Sequence, residues 1–214
     1  DALLRVANQL LSFTKHAGLS DPLPYAPVVD GDYLPKAPVR AAIDGDTHPV
    51  PLMIGSNADE GELFARFWDL LPRPSHYLVG LHDPEVAEEI ERLYPGTRDH
   101  VRLSADAVFW VPTTIFAEHH AVKAPTYVYR YDYAVRALKL SGIGATHATE
   151  LFAVFGMYRH PIGAPLAALG SWGSAKQITA QVQSAWTWFA RTGVPAGGWP
   201  AYRPDDRRVL LIDD

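Results

Sequence analysis

Hydrophobic positions recur along this chain with two different periods, and each period marks its own kind of element. In residues 1–17, Leu3, Leu4, Ala7, Leu10, Leu11 and Phe13 fall on one helical face, and Gly18 follows as a C-cap. Residues 50–55 instead form a short, almost wholly apolar run, Val50-Pro51-Leu52-Met53-Ile54-Gly55, the pattern of a strand buried on both faces in a parallel sheet. From Glu60 to Leu71 the spacing turns helical, with Phe64, Phe67, Trp68 and Leu71 on one side. From Thr126 to Tyr133 strict alternation puts Tyr127, Tyr129, Tyr131 and Tyr133 on one face and Thr126, Val128, Arg130 and Asp132 on the other, which predicts a strand. Residues 207–212 predict a last strand at the sheet edge.

Turn chemistry and helix signals fill the intervals. Pro22, Pro24, Pro27, Pro35 and Pro38 exclude a long helix there, and the segment from Val28 to Leu34 reads as a small hairpin turning at Asp30-Gly31. A short helix is expected from Pro38 to Gly45. Asp83-Pro84 pairs an N-cap with proline at the first helical position and opens a helix running to about Tyr94. A second helical region covers 100–122, interrupted before Pro112, with Phe109, Trp110, Ile115 and Phe116 inward. His119 and His120 near its end read as surface residues placed favourably at a helix C-terminus. These helices supply the crossover that parallel pairing of 50–56 with 126–133 requires. Residues 157–173 read as a loop rich in Gly and Pro. Ser174-Ala175-Lys176-Gln177 reads as a capping box opening a last long helix, which turns Ile178, Val182, Ala185, Trp186 and Phe189 to one side and stops at Gly193 and Pro195.

Composition narrows the class. With 214 residues, 48% hydrophobic and 20% charged, the chain has the make-up of an ordinary globular protein rather than a disordered one. Its 24 acidic and 19 basic residues are spread without long runs for a net charge of −5, which argues against nucleic acid as a partner. The absence of cysteine excludes a disulfide framework and a thiolate metal site. No apolar run approaches the roughly 18–20 residues that would span a bilayer.

Two stretches carry candidate chemistry. In Gly144-Ala145-Thr146-His147-Ala148-Thr149-Glu150 a histidine sits on a loop between small residues, just before an apolar run at helical spacing. In Gly55-Ser56-Asn57-Ala58-Asp59-Glu60-Gly61 a carboxylate follows the end of a strand. Ligands in open α/β sheets bind beyond the carboxyl ends of the strands, so an acid after one strand and a histidine after a later one are two members of a nucleophile, base and orienter constellation. Read alone, Glu60 also suits a solvated helix N-terminus, His147 a bond to a backbone carbonyl, and Asp59 competes as the acid. Glu150, three residues after His147, suits an H-x-x-E metal pair, but no further cluster completes a coordination shell.

These two stretches, GSNADEGELF and GATHATELFAVFG, together with PVVDGDYLP at 27–35, WTWFARTGVP at 186–195 and WPAY at 199–202, resemble the type-B carboxylesterase and cholinesterase family of α/β-hydrolases, in the family's order. The resemblance implies that residues 1–214 are the C-terminal portion of a single α/β-hydrolase domain, holding two or three sheet strands while the N-terminal part of the sheet is missing. It implies a serine carboxylesterase acting through an acyl-enzyme on carboxylic esters, with Glu60 as the acid, His147 as the base, and no cofactor or metal. Glu150 then reads as a buried acid near the active site. In this fold the nucleophile precedes the acid, yet Ser12, Ser20 and Ser56 lack a G-x-S-x-G setting, and neither that pattern nor a glycine-rich oxyanion stretch occurs anywhere in the chain. The partners implied are a small ester and the missing N-terminal part of the same polypeptide, and the chain alone is expected to be inactive. The family further implies an Asp106–Arg191 ion pair. Phe64, Phe67, Trp68, Leu151 and Phe152 follow the two catalytic positions and suit the lining of an acyl or alcohol pocket, against core packing as the commoner fate of such residues. The lack of cysteine points to a bacterial, cytoplasmic relative. The rival readings are a catalytically silent adhesion relative on the same fold and an independent binding module.

Overall fold

The computed structural model describes residues 27–67, 84–96 and 99–214. The helix expected over 1–17, the cap at Asp83 and the positions Trp68 and Leu71 lie outside them. The apolar run becomes β1 (Leu52–Asn57), the tyrosine-rich segment becomes β2 (Thr126–Tyr131), and β3 is Val209–Ile212. They form one parallel sheet in the order β1-β2-β3, with β3 at an edge as expected. Leu52 pairs with Thr126 and Asn57 with Tyr131, so the two longer strands run in register to their last residue.

The helices follow in chain order as α1 (Pro38–Ile43), α2 (Glu62–Phe67), α3 (Pro84–Leu93), α4 (Asp99–Ala105), α5 (Val111–His120), α6 (Arg136–Ser141), α7 (Glu150–Val154), α8 (Ala164–Ala167) and α9 (Trp172–Thr192). Single turns at Asp106–Trp110 and Met157–Arg159 join some of them. The tyrosine face of β2 meets α9: Tyr131, Tyr133, Ile178, Val182 and Ile212 are buried in one cluster, and Tyr127 joins Ala185 and Trp199 in another. On the opposite face Val128 packs with Ala117 of α5 and with Tyr202. The central strand β2 is therefore covered on both sides, whereas β1, the strand expected to be buried on both faces, is only partly buried over Leu52–Gly55 because it lies at an edge of the described sheet. α9 ends where the sequence says, with Gly193 at φ 75° and its N–H on the Phe189 carbonyl at 2.8 Å.

Several local expectations are corrected. The 28–34 segment forms no hairpin strands, because the Asp30 carboxylate accepts the N–H groups of both Asp32 and Leu34 at 3.0 Å and closes an Asx-type loop on itself. The region before Pro112 is not interrupted. Residues Asp106–Trp110 form a π turn in which the Val111 N–H reaches the Asp106 carbonyl five residues back, and the extra residue absorbs the N–H that proline cannot supply. His120 is not a surface residue: it is 3% exposed, its Nε2 donates to the Val50 carbonyl at 2.9 Å, and its Nδ1 shares a hydrogen bond with the Thr47 hydroxyl at 2.9 Å. It thereby ties the end of α5 to the lead-in of β1, whereas His119 is exposed.

The capping box is absent as well. α9 begins at Trp172, ahead of it, and Ser174 bonds the Tyr133 hydroxyl at 3.0 Å while Ser171 Oγ accepts the Arg136 N–H at 2.8 Å. The expected Asp106–Arg191 pair does not form. Asp106 instead accepts from the Tyr94 hydroxyl at 2.7 Å and lies 3.9 Å from Arg102, which shares its helical run.

Close approach of β1 to β2 depends on Gly55, where an added Cβ would fall 2.3 Å from the Tyr129 carbonyl oxygen and 2.6 Å from its ring. Gly55→Ala should destabilise the protein by about 1–3 kcal/mol through overpacking. Gly173→Ala, in α9 with nothing within 4 Å of an added Cβ, should stabilise it by about 0.5 kcal/mol. Urea unfolding midpoints of the two variants against wild type measure both.

Candidate active site

The register of β1 and β2 sets the site, because both strands end at the same edge and their loops leave side by side. Pairing continues one residue past β1, where the Ala58 N–H donates to the Tyr131 carbonyl at 2.9 Å. Glu60 lies two residues further on and is 6% exposed. The chain after β2 passes through α6, and Gly142 and Gly144, at φ 72° and 65°, turn it back into the histidine loop.

The two predicted site residues meet there. Glu60 Oε2 and His147 Nδ1 are 2.6 Å apart, and Glu60 Oε1 accepts the Asn57 backbone N–H at 2.8 Å. The buried carboxylate thus has a donor on each oxygen, the condition under which a buried charge is tolerated. A carboxylate can only accept, so Nδ1 carries its proton toward Glu60 and Nε2 is the nitrogen left to take up another. The Glu60 hydrogen bond raises the His147 pKa above 6.5. Desolvation of the half-buried ring opposes that rise, and the charges of Glu60 and Glu150 add to it.

Aromatic rings flank the imidazole. Phe64 of α2 and Phe109 of the π turn lie 5.0 and 5.2 Å from it, centroid to centroid, and 6.0 Å from each other. Among the described residues expected to line a pocket, Phe64 meets the imidazole. Phe67 is 59% exposed, Leu151 is exposed, and Phe152 stacks on Tyr158 in the core at 5.5 Å. Phe109 is a neighbour that sequence reasoning placed inward without connecting it to the histidine, because the π turn shifts its register from the α period used to assign its direction.

Asp59 does not compete for the imidazole; its Oδ2 accepts the Ala145 N–H at 2.9 Å. Glu150 accepts from Asn57 Nδ2 at 2.6 Å, so Asn57 serves Glu60 with its backbone and Glu150 with its side chain. Tyr129 beneath them has its phenol pushed up by burial, with the charges of Glu150 and Glu60 adding to the rise. Among the described residues no group of three or more His, Asp or Glu side chains is arranged to hold a metal. Ser56 is buried within β1, opposite Arg130.

A parallel α/β sheet with a carboxylate–imidazole pair just beyond its first two strands defines a chain of the α/β-hydrolase type. Residues 2–214 match the Carboxylesterase family, and the chain belongs to it. It is 32% identical over 221 residues to the para-nitrobenzyl esterase of Bacillus subtilis (strain 168), a match covering 99% of this chain and 43% of that protein. It is 28% identical over 210 residues to carboxylesterase 1D of Mus musculus, covering 84% and 36%. Among solved structures, a thermophilic para-nitrobenzyl esterase aligns with a TM-score of 0.77 and 30% identity, covering 99% of this chain and 44% of that one. A Geobacillus stearothermophilus carboxylesterase aligns with a TM-score of 0.68 and 27% identity, covering 92% and 43%. The chain therefore spans less than half the length of these relatives.

The pair's proton linkage has a defined sign. A folded pKa raised above the unfolded value of 6.5 contributes stability that is fully present below pH 6.5 and is lost as pH rises through the folded pKa. An NMR titration of the His147 ring should show protonation above pH 6.5. In Glu60→Gln the midpoint should fall below that of the wild type, and the loss of stability through this window should shrink with it.

Proposed function

We propose that the full-length protein is a serine carboxylesterase, that residues 1–214 form the C-terminal part of its one hydrolase domain, and that Glu60 and His147 are its acid and base. The observation that carries this reading is the 2.6 Å contact between them beyond β1 and β2. His147 Nε2 takes the proton of a serine as its oxygen attacks the ester carbonyl, then returns it to the departing alcohol. It next takes a proton from the water that attacks the acyl-enzyme and gives it to the serine oxygen as the acyl bond breaks, which restores the neutral imidazole and releases the acid. Glu60 holds the ring in the tautomer with the proton on Nδ1 and stabilises the imidazolium that each transfer creates.

The 214 residues hold no G-x-S-x-G sequence, so the nucleophile belongs to the part of the relatives' length that this chain does not match. The substrate class is a carboxylic ester of modest size: the esterases named above support it, and so do the uncharged Phe64 and Phe109 walls beside the imidazole. The rival reading, a silent relative on the same fold, leaves unexplained why a buried carboxylate is kept in contact with a histidine.

Hydrolysis of p-nitrophenyl acetate tests the proposal. The full-length protein should turn it over, the 214-residue chain alone should not exceed buffer, and His147→Ala in the full-length protein should cost roughly 10³-fold or more in kcat. The rate should also fall as pH drops through the raised His147 pKa, because the imidazolium cannot accept the serine proton. Turnover in His147→Ala equal to wild type would remove the histidine from the role assigned.

A further inference from the structure

Asp59, the immediate neighbour of Glu60, is a carboxylate that the proposed chemistry leaves unused. Its Oδ2 accepts the Ala145 N–H at 2.9 Å, and its own N–H donates to the Ala145 carbonyl at 3.0 Å. The acid loop and the histidine loop are thus joined by a closed two-bond ring, one residue from Glu60 and two from His147. Ala145 itself is 1% exposed.

The histidine loop is shaped around that carboxylate. Gly144 has φ +65°, and a Cβ built there would fall 2.1 Å from Asp59 Oδ2, so a side chain at 144 would displace it. On the near side of His147 the Thr146 hydroxyl accepts the Leu63 N–H at 3.0 Å. On the far side Ala148 adopts φ +66°, a conformation that an alanine keeps only where surrounding contacts over-determine it. The N-terminal side of the imidazole's short loop is therefore fixed from the acid side of the site, by Asp59 and by the Leu63 N–H.

We propose that Asp59 is a positioning residue for the acid–base pair: by clasping Ala145 it holds the histidine loop at the separation that lets His147 Nδ1 reach Glu60. The two adjacent carboxylates divide the work, one bonding the imidazole and the other bonding the backbone that carries it. The inference rests on the esterase reading for its catalytic consequence, but not for its geometry.

The test compares Asp59→Ala with Asp59→Asn, whose amide oxygen can still accept the Ala145 N–H. The His147 pKa is read by NMR beside the thermal midpoint. The charged groups that act on the ring, Glu60 and Glu150, are unchanged in both variants. Asp59→Ala should lower the His147 pKa toward 6.5, and Asp59→Asn should stay near wild type. An unchanged pKa in Asp59→Ala, even with a lowered midpoint, overturns the proposal, and so does an equal fall in both variants, which would trace the effect to charge alone. If Asp59→Ala does not fold, Gly144→Ala decides, because its added Cβ would displace the Asp59 carboxylate: the His147 pKa should fall toward 6.5 there, and an unchanged value overturns the proposal. In the full-length protein Asp59→Ala should lower kcat by about 10²-fold with KM within about twofold, and Asp59→Asn should restore most of it. A protein without any esterase turnover would sink the functional reading and leave the pKa comparison to decide the clasp.

Discussion

The in-register parallel pairing of β1 with β2 is the constraint on which everything else here depends. Successive side chains on a strand alternate faces, so a slip of one residue would turn the tyrosine face of β2 away from α9 relative to β1 and move the chain ends apart by a strand rise of about 3.3 Å. A hydrogen bond of 2.6 Å between groups on the two following loops cannot survive such an error. Two features of the sequence enforce the register. Gly55 lets the Tyr129 backbone and ring come close at one rung only, and both faces of Val128 and its neighbours are committed to packing. The core therefore does not merely support the site; it measures the distance across it.

The electrostatics of the pair follow from where that register puts it. Glu60 is buried at the end of a strand, where an unpaired carboxylate would be costly, and it is stabilised by one backbone N–H and one imidazole. The same interaction raises the histidine's proton affinity, so the protonated pair is the more stable form while the neutral imidazole is the one that can act as a base. Stability and the capacity to accept a proton thus lean in opposite pH directions across one titration. Glu150 pushes the histidine the same way, yet its side-chain oxygen is engaged by Asn57, which also donates to Glu60. A single buried asparagine thereby holds two carboxylates at separate posts.

What could be read from sequence was what depends on period and on motif order. The apolar run at 50–55, the tyrosine alternation at 126–133 and the glycine stop at 193 became two strands and a helix end, because strand periodicity and φ > 0 leave few alternatives, although Leu52–Gly55 is only partly buried. The Glu60–His147 contact followed from the resemblance and the strand order together. The misreadings share a different cause, which is competition from partners distant in the chain or from a side chain's own backbone. Ser174 looked like one end of a capping box but is held by Tyr133, and His120 looked like a helix-end surface residue but is held by Thr47 and Val50. Asp30 folded its loop onto its own carboxylate before any strand could form, and Asp106 took the tyrosine and arginine nearest to it. No local window contains those partners, so no local rule ranks them.

The π turn at Asp106–Trp110 shows how one such local departure reaches the site. Proline at 112 removes an N–H from the helical ladder and crowds the carbonyl four residues back, and the chain answers by widening one turn instead of breaking. Widening adds a residue to that turn and so rotates what precedes it relative to α5, and Phe109 lies within the widened turn with its ring against His147 and Phe64. Two phenyl rings then pack beside the imidazole at tilts of 49° and 40°, while 44% of the histidine side chain still meets solvent. An uninterrupted α-helix of the same sequence would point Phe109 about 100° elsewhere per residue of lost offset, and the histidine would lose one of its walls. The proline acts here not as a helix breaker but as the residue that sets the angle from which an aromatic ring approaches the imidazole.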